Sequence, residues 1–133
     1  MRKRLKSNIL LFSEKILIKP LSVNEAWQGK KFKTPKYKEY EKALMALLPD
    51  VEPLIDAKPL EIFIEVGFSN KQSDIDNIVK PFVDILQKKY KFNDRFIYKM
   101  TVEKHIVEKG NEYIEFYIKN KIPSHNILED LDN

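Results

Sequence analysis

Cysteine is missing from this 133-residue sequence. Its absence excludes disulfides and thiolate metal sites, so carboxylates are the ligands on which a bound metal would depend. Glycine is scarce, at three residues, while apolar residues make up 43% and charged residues 33% of the chain. That balance excludes a low-complexity or disordered polymer and fits one compact domain. Long hydrophobic runs are also lacking: none approaches the roughly 20 residues of a membrane span. The opening MRKRLKSNILLF has the basic start of a signal peptide, but its apolar run covers only residues 9–12 and no small-residue cleavage site follows. The expectation is a cytoplasmic protein with no membrane partner.

Acidic residues are few between Arg2 and Lys38. Arg2, Lys3, Arg4, Lys6, Lys15, Lys19, Lys30, Lys31, Lys33, Lys36 and Lys38 face only Glu14 and Glu25 there, although the net charge of the whole is a modest +4. Such asymmetry suits a polyanion partner, and it suits lysine-rich solubilisation as well. The final ILEDLDN is acidic and closes a tail, residues 121–133, that reads as frayed.

Periodicity supplies the elements. Residues 14–20, EKILIKP, read as a strand closed by Pro20, and the stretch 21–34 reads as a long loop. Behind Pro35, Tyr37, Tyr40, Leu44, Leu47 and Leu48 share one helical face. Leu60, Ile62, Ile64 and Val66 alternate with charged or aromatic residues as a second strand. Ile75, Ile78, Val79, Phe82, Val83 and Leu86 recur at helical spacing, and Pro81 requires that helix to start late or to kink. Two β-rich runs follow, joined at EKGN in the manner of a hairpin. The predicted fold is a single α+β domain of order β-α-β-α-β-β, a mixed sheet packed against two helices.

The chemistry lies in SDIDNIVK and, beyond the helix, NDRFI. On an extended backbone Asp74 and Asp76 would point the same way, with Asn77 turning the chain into the helix. Carboxylate oxygens with open positions suit a hard divalent ion that also binds phosphate. Lys80, four residues after Asp76, could reach the same phosphate. Asp94 must double back along the helix to join them, or come from a partner subunit. A plainer reading makes Asp74, Asp76 and Asn77 helix caps, Asp76 and Lys80 an i,i+4 ion pair, and Asn93–Asp94 turn chemistry. An EF-hand is excluded: counting from Asp74, Val79 stands where glycine is required and Ile85 where glutamate is. His105 and His125 have no motif around them and read as solvated or packed.

With these residues in order, the chain resembles the RusA family of Holliday junction resolvases. The family's D-x-D-N-x-x-K run, mid-helix aspartate, acidic pair before a strand and later lysine are similar to DIDNIVK, Asp84, NDRFI and Lys104. Its early Pro-x-x-x-Asn segment with a following aromatic is similar to PLSVNEAW, with Pro20, Asn24 and Trp27. The resemblance runs from about residue 16 to 118, within a domain expected to span residues 1–120. One departure is Asn93, which leaves Asp94 as the sole carboxylate of the pair. The resemblance implies a homodimer with two symmetric sites that nick opposed strands of a four-way junction, using Mg²⁺ or Mn²⁺. Asp74, Asp76 and Asp94 would hold the metal, and Lys80 would offset charge in the transition state. Lys30, Lys31, Lys33, Lys36 and Lys38 would grip the DNA backbone, with Asn24, Trp27 and Asn77 as further DNA contacts. A noncatalytic DNA-binding protein, and a nuclease of the same chemistry acting on forks, flaps or RNA, remain the rival readings.

Overall fold

The computed structural model describes residues 10–28, 32–51 and 59–121. Strand β1 (Leu10–Ile16) is followed by helix α1 (Val23–Ala26), strands β2 (Trp27–Gln28) and β3 (Phe32–Lys33), and helix α2 (Pro35–Leu47). Then come strand β4 (Leu60–Phe68), helix α3 (Asp76–Tyr90), a 3-10 turn (Asp94–Phe96), and strands β5 (Ile97–Ile106) and β6 (Tyr113–Asn120). The acidic tail beyond Lys121 and the basic residues before Leu10 lie outside the described residues.

The fold is α+β, as predicted, and its main elements keep the order β-α-β-α-β-β. The four-stranded sheet is mixed, with order β1-β6-β4-β5. On β4, Leu60, Ile62, Ile64 and Val66 are fully buried, and they form the core with Leu44 of α2 and Ile78, Phe82, Ile85 and Leu86 of α3. Strand β6 adds Ile114, Phe116 and Ile118 to that face. Alternation with period two puts Glu61, Phe63 and Glu65 on the other side of the sheet. The Phe82 and Phe116 rings meet edge to face at 5.4 Å, fixing α3 over the sheet.

Several expectations are corrected. The first strand is Leu10–Ile16 rather than 14–20, because β1 pairs with β6 only as far as Ile16↔Ile114, and Leu17 is 76% exposed. The stretch read as a loop contains α1 and the antiparallel β2–β3 pair. Ser22 and Glu25 close α1 as a reciprocal capping box, so three helices accompany the sheet instead of two. Strands β5 and β6 are no hairpin. Helix α3 carries the chain across so that β5 runs parallel to β4, and β6, with its own buried face, takes the opposite edge of β4. Pro81 sits in the second turn of α3, where it withholds a donor from the Asn77 carbonyl. The turn before it is tight, with i→i−3 bonds from the Asn77 and Ile78 amides.

Glycine is required at one place in β4. A Cβ on Gly67 would lie 2.3 Å from the Tyr113 ring, which crosses above it so that its hydroxyl donates to Glu65. Gly67→Ala should cost about 1–3 kcal/mol, read from urea midpoints. Burial pushes the Tyr37 hydroxyl, and burial with the Glu65 hydrogen bond the Tyr113 hydroxyl, up to about 12 from the ordinary 10.0. The unfolded chain therefore loses these protons first as pH rises. Stability should be full below pH 10 and fall towards pH 12, and urea titrations across that window check it.

Candidate active site

Asp74 ends a loop that leaves β4, and Asp76 is the first residue of α3. The backbone between them is not extended. Ile75 already has right-handed helical dihedrals (φ −67°, ψ −34°), so the two aspartates are not on one face of a strand, as the sequence suggested. Asp74 lines a concavity of about 450 Å³ with Asn24, Asn77, Lys19 and Glu112. Asn24 reaches it because α1 packs against α3. The position that would cap α3 is Ile75, and no side chain caps it. Capping therefore does not account for either aspartate.

The ion-pair explanation fails as well. Lys80 Nζ lies 3.2 Å from Asp84 Oδ2, one turn further along α3, instead of pairing back to Asp76. Among the described residues, the carboxylates of Asp74, Asp76 and Asp94 make no hydrogen bond or ion pair. All three are exposed, and their lone pairs are free for a cation or a water.

Asp94 opens the 3-10 turn before β5. Asn93 caps this turn, its Oδ1 accepting from the Arg95 amide at 2.9 Å. The residue that replaces an acid thus has a local structural task. The Asp94 amide donates to Gln87 Oε1 at 2.8 Å, and Gln87 Nε2 donates to Asp84 Oδ1 at 3.4 Å. A polar ladder so runs up the outer face of α3 from the Asp94 turn through Gln87 and Asp84 to Lys80. Asp94, Lys80 and Asp84 line a second concavity of about 450 Å³, floored by Val79, Val83 and Met100.

Within one chain the three carboxylates do not gather. The Asp94 amide is tied to the Gln87 side chain, further along α3 than Asp76, and the three carboxylates do not form a described group with ligand atoms all within 4.8 Å of one another. Among the described residues, the group of three metal-ligating side chains with ligand atoms all within 4.8 Å is another one: Glu65, Glu103 and His105. It lies on the sheet face turned away from α3. Register explains it, since Glu65 sits opposite Glu103 and His105 follows two residues later on the same face. His105 Nε2 is 3.4 Å from Glu103 and 3.7 Å from Glu65, so this half-exposed histidine has carboxylate neighbours that the sequence reading did not assign.

The basic candidates divide. Lys30 and Lys31 lie outside the described residues. Lys36 pairs with Glu25 at 3.2 Å, whereas Lys38 is exposed. Lys33 lies over the Tyr37 ring at 4.6 Å and the Trp27 ring at 5.9 Å. Trp27 is half-buried, stacked near Tyr37 with centroids 6.3 Å apart, and packs on the core, a structural role for an aromatic read as a base-stacking candidate. Sequence reasoning also missed Gln87, although its i+3 spacing from Asp84 was visible.

The site is thus a set of uncommitted carboxylates spread along one helix over a small mixed sheet. A family model described as Endodeoxyribonuclease RusA matches residues 19–117, and the chain belongs to that family. A comparison with individually curated proteins gives no match. The matched span holds β4, α3, the Asp94 turn and β5, so Asp74, Asp76, Asp84 and Asp94 all fall within it.

Gln87→Leu keeps the bulk on α3 but removes the acceptor that holds the Asp94 amide. It should lower nuclease activity by about 10-fold while shifting stability by less than about 1 kcal/mol. Single-turnover cleavage beside a urea melt checks this, and unchanged cleavage would show that the ladder does not set the position of Asp94.

Proposed function

We infer that the protein is a metal-dependent endodeoxyribonuclease that resolves four-way (Holliday) DNA junctions by paired nicks, in recombination and repair. One observation carries the reading: in a chain of the RusA family, Asp74, Asp76 and Asp94 keep their carboxylates free of caps and ion pairs. Free carboxylate oxygens near solvent are the donors that Mg²⁺ prefers, with Mn²⁺ as an alternative. The ion would supply the charge that polarises the scissile phosphate and activates water. Lys80, paired with Asp84, would offset negative charge as the leaving oxygen departs. Asn24 and Asn77 offer amide groups to the nucleotide beside Asp74, and Lys33 and Lys38, with Lys30 and Lys31, supply backbone contacts. Residues 1–120 would form the nuclease domain.

The separation of Asp94 from Asp76 in one chain favours a homodimer in which the partner's Asp94 completes the set. Strand β5 is an edge of the sheet. An antiparallel two-fold pairing along it would set each strand's Ile97 end beside its mate's Ile106 end. Ile106 pairs with Phe68, the residue from which the Asp74 loop departs. The symmetry of such a dimer matches that of a four-way junction.

The test is cleavage of a synthetic four-way junction, a fork and a duplex at one salt concentration, with wild type and Asp76→Asn. Wild type should cut the junction in Mg²⁺, and Asp76→Asn should bind it yet cut at least about 100-fold more slowly. Binding without cutting by wild type identifies a noncatalytic DNA-binding protein, and preference for the fork redirects the substrate. An Asp76→Asn variant that cuts at the wild-type rate removes these carboxylates from the mechanism.

A further inference from the structure

The loop between β4 and α3 carries Asp74 into place, and its own bonds are few. Asn70 Oδ1 accepts from the Gln72 amide at 2.8 Å, and the Ser73 amide returns to the Asn70 carbonyl at 3.2 Å, which closes one turn. Ser69 Oγ donates to Glu112 at 2.6 Å, anchoring the loop where it begins. The end that reaches Asp74 is held from β5. Lys104 Nζ donates to the Lys71 carbonyl at 2.7 Å and to the Ser73 carbonyl at 2.6 Å. Ser73 is the residue immediately before Asp74.

Register places Lys104 for this. It lies opposite Val66, on the side of the sheet that α3 covers, and its ammonium is 5.9 Å from the centre of the Phe68 ring. Its charge is directed at two neutral backbone oxygens, although Asp74 is the next residue along. Charge-assisted bonds to carbonyls are stronger than neutral ones, so one side chain fixes two peptide planes of the loop.

We propose that Lys104 is a positioning residue: its ammonium clamps the Lys71 and Ser73 carbonyls and so sets the geometry in which Asp74 and Asp76 take up a divalent cation. The inference rests on the metal-binding reading of those aspartates. Groups that orient metal ligands without touching the metal typically change affinity by about 10–100-fold when removed. A Lys104 that merely touched DNA would act differently, weakening junction binding and its salt dependence while leaving metal affinity alone.

The experiment uses the full chain. Mn²⁺ affinity is measured by calorimetry on DNA-free protein, and junction affinity without divalent metal and the Mg²⁺ dependence of cleavage are measured beside it. Lys104→Met keeps the stem over Phe68 and removes the donors, Lys104→Arg keeps two donors, and Asp76→Asn is the control for the metal site. Lys104→Met should lose about 10–100-fold in Mn²⁺ affinity, need correspondingly more Mg²⁺ for half-maximal cleavage, and bind the junction as wild type does. Lys104→Arg should recover most of the loss. If Asp76→Asn loses Mn²⁺ binding but Lys104→Met keeps it, the clamp is overturned and the metal reading stands. If Asp76→Asn binds Mn²⁺ and cuts as wild type does, both are overturned. Should Lys104→Met unfold, Lys104→Arg decides alone: near-wild-type Mn²⁺ affinity supports the clamp, and a 10-fold loss despite a wild-type melt overturns it.

Discussion

Strand β4 is hydrogen-bonded on both edges, antiparallel to β6 and parallel to β5. A parallel neighbour cannot be reached by a tight turn, so the chain must cross back over the sheet, and α3 is that crossover. This constraint places the candidate site residues. The loop leaving β4 delivers Asp74 and Asp76 to one end of α3, and the turn entering β5 delivers Asp94 towards the other. Strand β5 then returns along β4, bringing Lys104 back to the first loop. The four residues come from three separate stretches of sequence, and one βαβ unit relates them.

Electrostatics sharpens the point. Cations do stand near acids elsewhere in the described chain, and two of the four acids on α2 and α3 have partners: Glu41 takes Lys88, and Asp84 takes Lys80. In a protein of net charge +4, unpaired carboxylates on Asp74, Asp76 and Asp94 are therefore not explained by a shortage of lysine. Lys104 and Lys80 are both close by in the fold, yet one is directed at carbonyls and the other at Asp84. Surface pairs add little to stability, so leaving three acids unpaired costs the fold little and leaves them available to a cation.

Much of this was legible in the sequence because local pattern and tertiary burial agree there. The alternation on β4, the Tyr37, Tyr40 and Leu44 face of α2, and the Ile78, Phe82 and Leu86 stripe of α3 all point into the core. What was not legible depends on pairing partners. The β5–β6 turn at Gly110 has hairpin chemistry, but the strands it joins are separated by β4, since burying β6 against β4 covers more apolar surface than an exposed edge could. The bounds of β1 follow from its register with β6 and not from its own composition. At the site, the motif DIDN gave the residues but not their directions. Those depend on Ile75 having already entered the helix, which a period-two reading of Asp74 and Asp76 does not anticipate.

Asn93 shows how a departure from a family pattern can leave the fold intact. Its side-chain oxygen accepts from the Arg95 amide, a bond that aspartate makes equally well, so the 3-10 turn does not distinguish the two residues. The difference is charge. An acid at 93 would stand beside Asp94 and repel it unless a cation lay between them, whereas asparagine keeps the cap and removes the repulsion. Asp94 thus remains the one carboxylate of the turn, its amide held by Gln87 and its side chain uncommitted. On the proposed metal-binding reading, a site built this way would supply less negative charge from this turn, and its hold on a cation would depend more on how accurately Asp74 and Asp76 are placed. The backbone clamp proposed for their loop would then matter more in this chain than beside an intact acidic pair.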